Sequence, residues 1–573
     1  MQFCSKYAYD YGFEGSDEED VEDEHKVTTS SKIRKADTNI ISVNFDELIS
    51  TNLMFAGEPI QCRKCQAIMN KTSQNNLSKD RKIWTCEFCY ENNTVDLDTL
   101  EQFPSEEDVT FLLEPAPQTS HEDVNNFTDD KYLIYCIDIS GSMDTQVIHN
   151  TPNDNNKRMT RLDAVKIACV QNLNALKTQE PNKRVSLVSF SENVRYYGDA
   201  TKTNNQLTIE EKNVLNNKEK IFTLAENQKG DLKSLRDSNI SLTQRIKSLN
   251  TEGYTALGPA LAFSVAFVSR LPGSQVILCT DGCANIGIGS VEQNLNAEKF
   301  YEDLANYAKG KGIVVNVITM EGTDCRLALL GKVADLTNGS VNVVNPLDLG
   351  KQFSAILENR CIATDVKAKL IVNNRYLYIR DDDLELAEAK AYESESIQAK
   401  TELNKLKKSI VERNIGNANI ETAITFEFGI RKLSNEEKEQ SSTNLDKLPF
   451  QLQISYTMPN GAKALRVITK TQEFTKERSR AEREIVSKES LFANYAQKMS
   501  NFVTTSNVKA AKYKIQQIQK LNQNAKLELP AVMAENIQLV SSMHNTMRSS
   551  ELNDREINKI LLFKKANEKF FSK

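Results

Sequence analysis

At 573 residues the chain is too long for one hydrophobic core, so three or four units are expected. Its 39% hydrophobic and 26% charged residues are those of a globular protein with polar insertions, and no stretch approaches the roughly 20 apolar residues of a membrane span. A formal net charge of -6 with no Lys/Arg-rich face argues against a nucleic-acid binder, which needs a basic footprint to neutralise phosphates.

The first 11 residues lack the apolar stretch of a signal peptide, which points to a cytosolic or nuclear protein, at most peripheral to a membrane. Residues 14–24, EGSDEEDVEDE, hold only Val21 as a large aliphatic side chain. They bury too little to offset the cost of ordering, so residues 1–37 read as a disordered acidic tail. From Asn39 the chain turns apolar, and IISVNF reads as a strand.

Four of the eleven cysteines follow as Cys62-x2-Cys65 and Cys86-x2-Cys89, the two pairs separated by twenty residues. That spacing is the signature of a four-thiolate zinc finger, here over residues 61–95. Two tight knuckles close a tetrahedron with no open position, so Zn2+ would be structural and unable to polarise a substrate. A RING-type ubiquitin ligase needs a second interleaved ligand set, and His25 and His121 are too distant to supply one. Cys136, Cys169 and Cys279 lie in apolar runs and read as small buried hydrophobes. With no signal peptide, disulfides are not expected.

Residues 130–363 alternate short apolar runs with amphipathic stretches. YLIYCI, VSLVSF, VILCT, IVVNVITM and VNVV are rich in β-branched residues and near strand length, as central strands of a parallel sheet require. Helices intervene. Leu162, Val165, Cys169, Leu173 and Leu176 recur at helical spacing after a capping-box-like Thr160 and Asp163. A second helix carries Leu295, Phe300, Leu304 and Tyr307, and a third runs through LDLGKQFSAILENR. Strand and helix in alternation predict a doubly wound α/β domain with two insertions, one polar at residues 144–158 and one charged and helix-prone at residues 203–249.

Beyond residue 363 the period becomes two in AKLIVNNRYLYIR, TAITFEFGIR and LQISYTM, and PNG at residues 459–461 supplies hairpin chemistry before AKALRVITKT. Residues 364–475 therefore read as an antiparallel β unit, interrupted by a polar helical segment at about 384–411. Residues 476–573 contain no glycine and one proline, Pro530, and read as an all-helical C-terminal domain.

Within the α/β unit, CIDISGSMD ends a strand in Asp138, Ser140 and Ser142. Open α/β folds bind ligands at that carboxyl edge of the sheet. A carboxylate and two hydroxyls are hard oxygen donors that select a small hard cation rather than zinc. Thr255, just before a helix, and Asp281, at the end of VILCTDG, would come from neighbouring loops.

These five residues resemble, position by position, the metal-ion-dependent adhesion site of von Willebrand factor A (vWA) domains. The resemblance implies Mg2+ close to Ser140, Ser142 and Thr255, with Asp138 and Asp281 binding directly or through water and a partner's carboxylate filling the last position. The order of units, with Trp84 just before CEFC and Asn92 just after, further resembles the inner-coat subunits of coat protein complex II. That likeness covers about residues 38–570 and implies that residues 38–60 add strands to a β-sandwich formed by residues 364–475. Two departures stand out: coat subunits typically end in a gelsolin-like module and carry a degraded metal site, whereas this sequence reads helical to its last residue and keeps the site intact. Trunk-like proteins with an intact site also occur in protists, some joined to a circularly permuted Ras-like GTPase. No G-x4-G-K-[ST] phosphate loop is present, so no GTPase activity is expected, and no arginine finger can be singled out.

The function expected is a non-enzymatic, zinc-stabilised and magnesium-dependent scaffold that binds a protein partner presenting an acidic residue. By resemblance, the partner would be a coat subunit or small GTPase, in transport from the endoplasmic reticulum. A structural component of a cytoskeletal or ciliary assembly is the alternative. Magnesium-dependent hydrolysis ranks last, because His25, His121, His149 and His544 lie near no plausible nucleophile and only Asp144 offers a base.

Overall fold

The computed structural model describes residues 1–9, 18–21, 31–34, 38–49, 54–55, 58–80, 82–95, 104, 106–116, 131–151, 154–202, 206–228, 232–290, 296–320, 325–344, 349–381, 384, 387, 405–431 and 447–504. The five apolar runs of the trunk all form strands. Arg184–Phe190, Tyr132–Asp138, Gln275–Cys279, Val314–Met320 and Val341–Val344 lie side by side and parallel, with Asp138 opposite Phe190 and Ile137 opposite Cys279. Two antiparallel strands, Val194–Gly198 and Leu207–Ile209, extend one edge.

Side chains alternate across a strand, so both faces of this sheet carry a core. Ile134 and Cys136 pack on one face with Leu261 and Phe263, while Leu133, Tyr135 and Ile137 pack on the other with Leu173 and Phe353. Leu257–Phe267 and Ala297–Gly310 belong to the first layer; Arg161–Gln179 and Leu349–Glu358 belong to the second. Arg161–Gln179 starts on the expected capping box: Thr160 Oγ1 accepts from the Asp163 amide at 3.1 Å, and Asp163 Oδ2 accepts from the Thr160 amide at 3.2 Å.

The two stretches read as insertions differ. Residues around 144–158 form an antiparallel ribbon, Gln146–Thr151 with Asp154–Thr160. The stretch at 203–249 is helical, as expected, but is no insertion outside the trunk: Lys218–Glu226 buries Ile221 and Ala225 in the first core, and Leu235–Lys247 buries Leu235, Leu242 and Ile246 in the second. Their charges occupy the outer faces, which made them look solvated in sequence.

The β unit is a sandwich. One sheet runs Gln2–Phe3, Ile40–Asn44, Ala423–Ile430, Leu377–Arg380. The other runs Ile410–Asn419, Cys361–Val372, Lys447–Thr457, Lys463–Thr475, Asp108–Glu114, Met54–Phe55. Ile41, Val43, Phe426 and Phe428 from the first meet Leu370, Phe450 and Leu452 from the second, with Phe428 and Phe450 edge to face at 4.8 Å. The PNG turn joins Lys447–Thr457 to Lys463–Thr475, with Gly461 at φ +85°.

Two expectations need correction here. Residues 1–9 are not part of a disordered tail. Gln2–Phe3 pairs with Ile40–Asn44, Tyr7–Tyr9 runs parallel to Lys463–Thr475, and Cys4, Tyr7, Ala8 and Tyr9 are buried. The acidic run starts only at Glu14, and these apolar residues before it have a surface to cover; Asn39 fixes the return by bonding both the amide and the carbonyl of Tyr9, at 2.8 and 3.0 Å. Glu18–Val21, inside that run, pairs antiparallel with Ser31–Arg34. Residues 410–419, directly after the expected helical segment, form a strand along Cys361–Val372. Leu295, Pro530, most of residues 384–404 and residues 505–573 lie outside the described residues.

Two helices of the C-terminal region are described, Arg478–Arg483 and Lys488–Thr504. The second lies on the Ile40–Asn44 and Ala423–Ile430 strands, where Gln497 bonds the Thr425 amide at 3.0 Å and the Ala423 carbonyl at 2.9 Å. Among the described residues no helix is long and apolar enough to cross a membrane.

Candidate metal centres

The two cysteine knuckles have the same local geometry. In one, the Gln66 amide donates to the Cys62 carbonyl at 2.9 Å with Gln66 at φ +61°; in the other, the Tyr90 amide donates to the Cys86 carbonyl at 2.8 Å with Tyr90 also at φ +61°. Each left-handed residue turns its chain back so that both thiols of its pair point inward. The four sulfurs lie within 4.8 Å of one another, with Cys62–Cys89 and Cys65–Cys86 at 3.5 Å. Zn–S bonds of about 2.3 Å give tetrahedral edges of about 3.8 Å, so the cage has zinc dimensions.

The thiols are unequal. Burial pushes Cys62 up, but the amides of Cys65 and Lys64 and the Asn93 side chain outweigh it and hold this thiol at about 7. The hydrogen bond to Cys65, with burial, holds Cys86 well above the ordinary thiol range, and burial pushes Cys89 up to about 12. Four thiolates cannot share this volume without a cation, and structural Zn2+ supplies it.

The ribbon is anchored to the sandwich. Gln451, fully buried, accepts from the Ile68 amide and donates to the Ile68 carbonyl, both at 2.7 Å. Trp84 is buried in the ribbon core, its indole donating to Glu87 Oε2 at 3.1 Å.

The oxygen cluster sits at the carboxyl edge of the parallel sheet. Asp138 ends the central strand and is fully buried. Its Oδ1 accepts from the Ser140 amide at 2.8 Å and its Oδ2 from the Thr280 hydroxyl at 2.6 Å. The Ser140 and Ser142 hydroxyls stand 3.1 Å apart, and Ser142 donates to Asp281 Oδ1 at 2.5 Å. Thr255 approaches across Gly282: a Cβ there would lie 3.5 Å from Ser142 Oγ and 3.9 Å from Thr255 Oγ1. Asn285 fixes Thr255 by accepting from its amide at 2.8 Å. All five residues named from sequence thus line one recess, with Ser142 exposed at its mouth and Asp138, Ser140, Thr255 and Asp281 buried.

Burial pushes the Asp138 carboxyl up to about 6; hydrogen bonds from Thr280 and Ser140 offset this in part, and the Asp281 charge adds to the rise. Two residues of the cluster were not anticipated. Thr280 gave no motif signal beyond adjoining Asp281. Arg161, whose guanidinium donates to Asp281 Oδ2 at 2.7 Å, could have been suspected as a cation at the first position of a helix. Chemically, the recess can hold a hard cation and leave it facing solvent at Ser142.

A parallel trunk sheet covered on both faces, its oxygen cluster at the carboxyl edge, a four-cysteine ribbon and a β-sandwich define a vWA-type trunk protein. The Sec23/Sec24 zinc finger family matches residues 59–98. Across most of the chain the structure matches the human COPII-coat protein Sec24c, with a TM-score of 0.59, 16% identity, and coverage of 90% of this chain and 70% of that one. The chain is therefore a Sec24-like vWA protein in fold. A von Willebrand factor type A protein from Catenulispora acidiphila aligns with a TM-score of 0.41 and 13% identity over 72% of this chain and 82% of that one. In sequence, the chain is 29% identical over 456 residues to Circularly permutated Ras protein 1 of Dictyostelium discoideum, covering 76% of this chain and 50% of that protein. It spans about half the length of that curated relative.

Proposed function

We propose that this chain is a non-enzymatic binding scaffold that holds Mg2+ at Asp138, Ser140, Ser142, Thr255 and Asp281 and grips an acidic side chain of a protein partner through the metal. The observation that carries this reading is the spacing of the oxygen cluster. The Ser140 and Ser142 hydroxyls are 3.1 Å apart, and adjacent ligands of an octahedral Mg2+ with bonds of about 2.1 Å stand about 3 Å apart. Every donor is a hard oxygen, and two buried carboxylates facing one arginine retain negative charge that a divalent cation would neutralise. Mg2+ keeps several waters and accepts an outside oxygen, which suits it to bridging. Tyr254, 63% exposed beside Thr255, adds an aromatic contact of the kind interfaces favour.

Calorimetric titration of Mg2+ into wild type and Asp138→Ala, followed by affinity purification in Mg2+ and in EDTA, tests the reading. The expected result is one partner set lost in both the variant and the chelator. An unchanged partner list would leave the ion at most structural and remove the idea.

The fold shared with Sec24c supports a setting at intracellular membranes near the endoplasmic reticulum, with a coat subunit or small GTPase as partner. Co-fractionation with vesicle markers is the expected outcome; a soluble pool indifferent to the GTPase would count against it. No phosphate-ester turnover is expected, and turnover lost in Asp281→Ala would overturn the non-enzymatic reading.

A further inference from the structure

Arg161 brings a cation against the oxygen cluster in a place where local structure does not favour one. It is the first residue of the Arg161–Gln179 helix, immediately after the cap Thr160. A positive charge there opposes the helix dipole, and helix starts prefer acidic side chains. The Arg161 side chain is 17% exposed and its partner Asp281 is 0% exposed. With Arg161 on one carboxylate oxygen at 2.7 Å and Ser142 on the other at 2.5 Å, Asp281 is engaged on both sides. Helix stability does not account for this arginine; the contact with Asp281 does.

The charge balance of the recess follows. Asp138 and Asp281 contribute two negative charges, which a divalent ion cancels. Arg161 then leaves the occupied recess with one net positive charge. The neighbouring acidic groups do not reverse this: Glu252 is paired with Arg195 at 3.0 and 2.7 Å, while Glu192, beside Gly253, and Asp144, two residues past Ser142, are exposed and screened by water. We propose that Arg161 sets the sign of the metal-loaded recess and so selects a carboxylate, over water or a neutral hydroxyl, as the outside ligand. The inference rests on the Mg2+ reading above. It requires two effects of opposite sign: Arg161 weakens binding of the bare metal and strengthens capture of an anion by the metal-loaded site. An arginine that merely braced the loop would weaken both when removed.

The test uses the full chain with Mn2+ as the metal probe, read by electron paramagnetic resonance, with and without acetate as the carboxylate probe. Arg161→Gln keeps hydrogen-bond donors but removes the charge; Arg161→Lys keeps the charge. Removing one positive charge within a few ångströms of a divalent ion should tighten Mn2+ binding by about tenfold in Arg161→Gln, while the extra tightening that acetate gives the wild type shrinks by a similar factor. Arg161→Lys should behave as wild type on both measures. If wild type binds Mn2+ but Arg161→Gln binds it equally or more weakly, or responds to acetate as wild type does, the inference is wrong and the metal reading stands. If wild type binds no Mn2+, the metal reading itself falls.

Discussion

The approach of the 281–290 loop to the helix behind Thr255 can be tested at Gly258. A Cβ built there would lie 1.9 Å from the Ile288 carbonyl oxygen. That is roughly 1.4 Å short of the closest ordinary carbon–oxygen contact, about 3.3 Å. Neither side can yield freely: Gly258 is buried in the Leu257–Phe267 helix, and Ile288 sits between Gly287 and Gly289, at φ +78° and +77°. Propensity alone predicts that Gly258→Ala stabilises, because alanine gains about 1 kcal/mol over glycine inside a helix. The structure predicts the opposite sign. Overpacking against backbone costs about 3 kcal/mol. Displacing Ile288 also strains the bonds between Thr255 and Asn285, at 2.8 and 3.1 Å, worth about 1 kcal/mol each. The balance is a loss of about 3–4 kcal/mol, or a fall of about 10 °C in Tm for a unit of trunk size. Because the same loop carries Asp281, Mn2+ affinity should fall with it. Differential scanning fluorimetry and a Mn2+ titration check both. A Gly258→Ala protein as stable as wild type with unchanged Mn2+ affinity would refute the packing argument.

Other consequences are equally direct. Trp84 is the only tryptophan of the chain and lies in the ribbon core, so zinc chelation or Cys86→Ala should red-shift intrinsic emission as the ribbon opens; an unshifted spectrum after verified zinc loss would show that the ribbon folds without metal. Gln451→Leu leaves the buried Ile68 amide without a partner and its carbonyl with only the Asn70 side chain at 3.3 Å. The expected cost is about 1–3 kcal/mol of ribbon docking, read as faster hydrogen exchange at Ile68. Arg466 bonds Asp108 at 2.8 and 2.6 Å and Glu47 at 2.7 Å, but those partners are 37% and 64% exposed. Arg466→Ala should therefore cost only about 1–2 kcal/mol in thermal unfolding, with the difference shrinking in high salt.

Much of the cysteine cage and of the oxygen cluster was legible because their signals are local. Cys-x2-Cys knuckles are self-contained turns, and a strand that ends in Asp-x-Ser-x-Ser sets its own donors at the sheet edge. Thr255 and Asp281 were legible only through the resemblance, because the contact between residues 139 positions apart, Ser142 and Asp281, leaves no local trace.

The sequence by itself determined the five parallel strands, the capped helix after Thr160, the PNG hairpin, the four ribbon cysteines and the placing of Asp138, Ser140 and Ser142 at a strand end, since periodicity and spacing encode backbone conformation over a few residues at a time. Only the tertiary structure decided that residues 1–9 and 108–114 complete the sandwich, that residues 203–249 supply parts of both trunk cores, and that Arg161 stands against Asp281. Those outcomes depend on which surfaces remain uncovered once the local elements meet. Such surfaces exist only in three dimensions: the hairpin covers one edge of Lys463–Thr475 with Lys447–Thr457, and the opposite edge is left open to Asp108–Glu114 and, further along, to Tyr7–Tyr9, which come from distant parts of the chain.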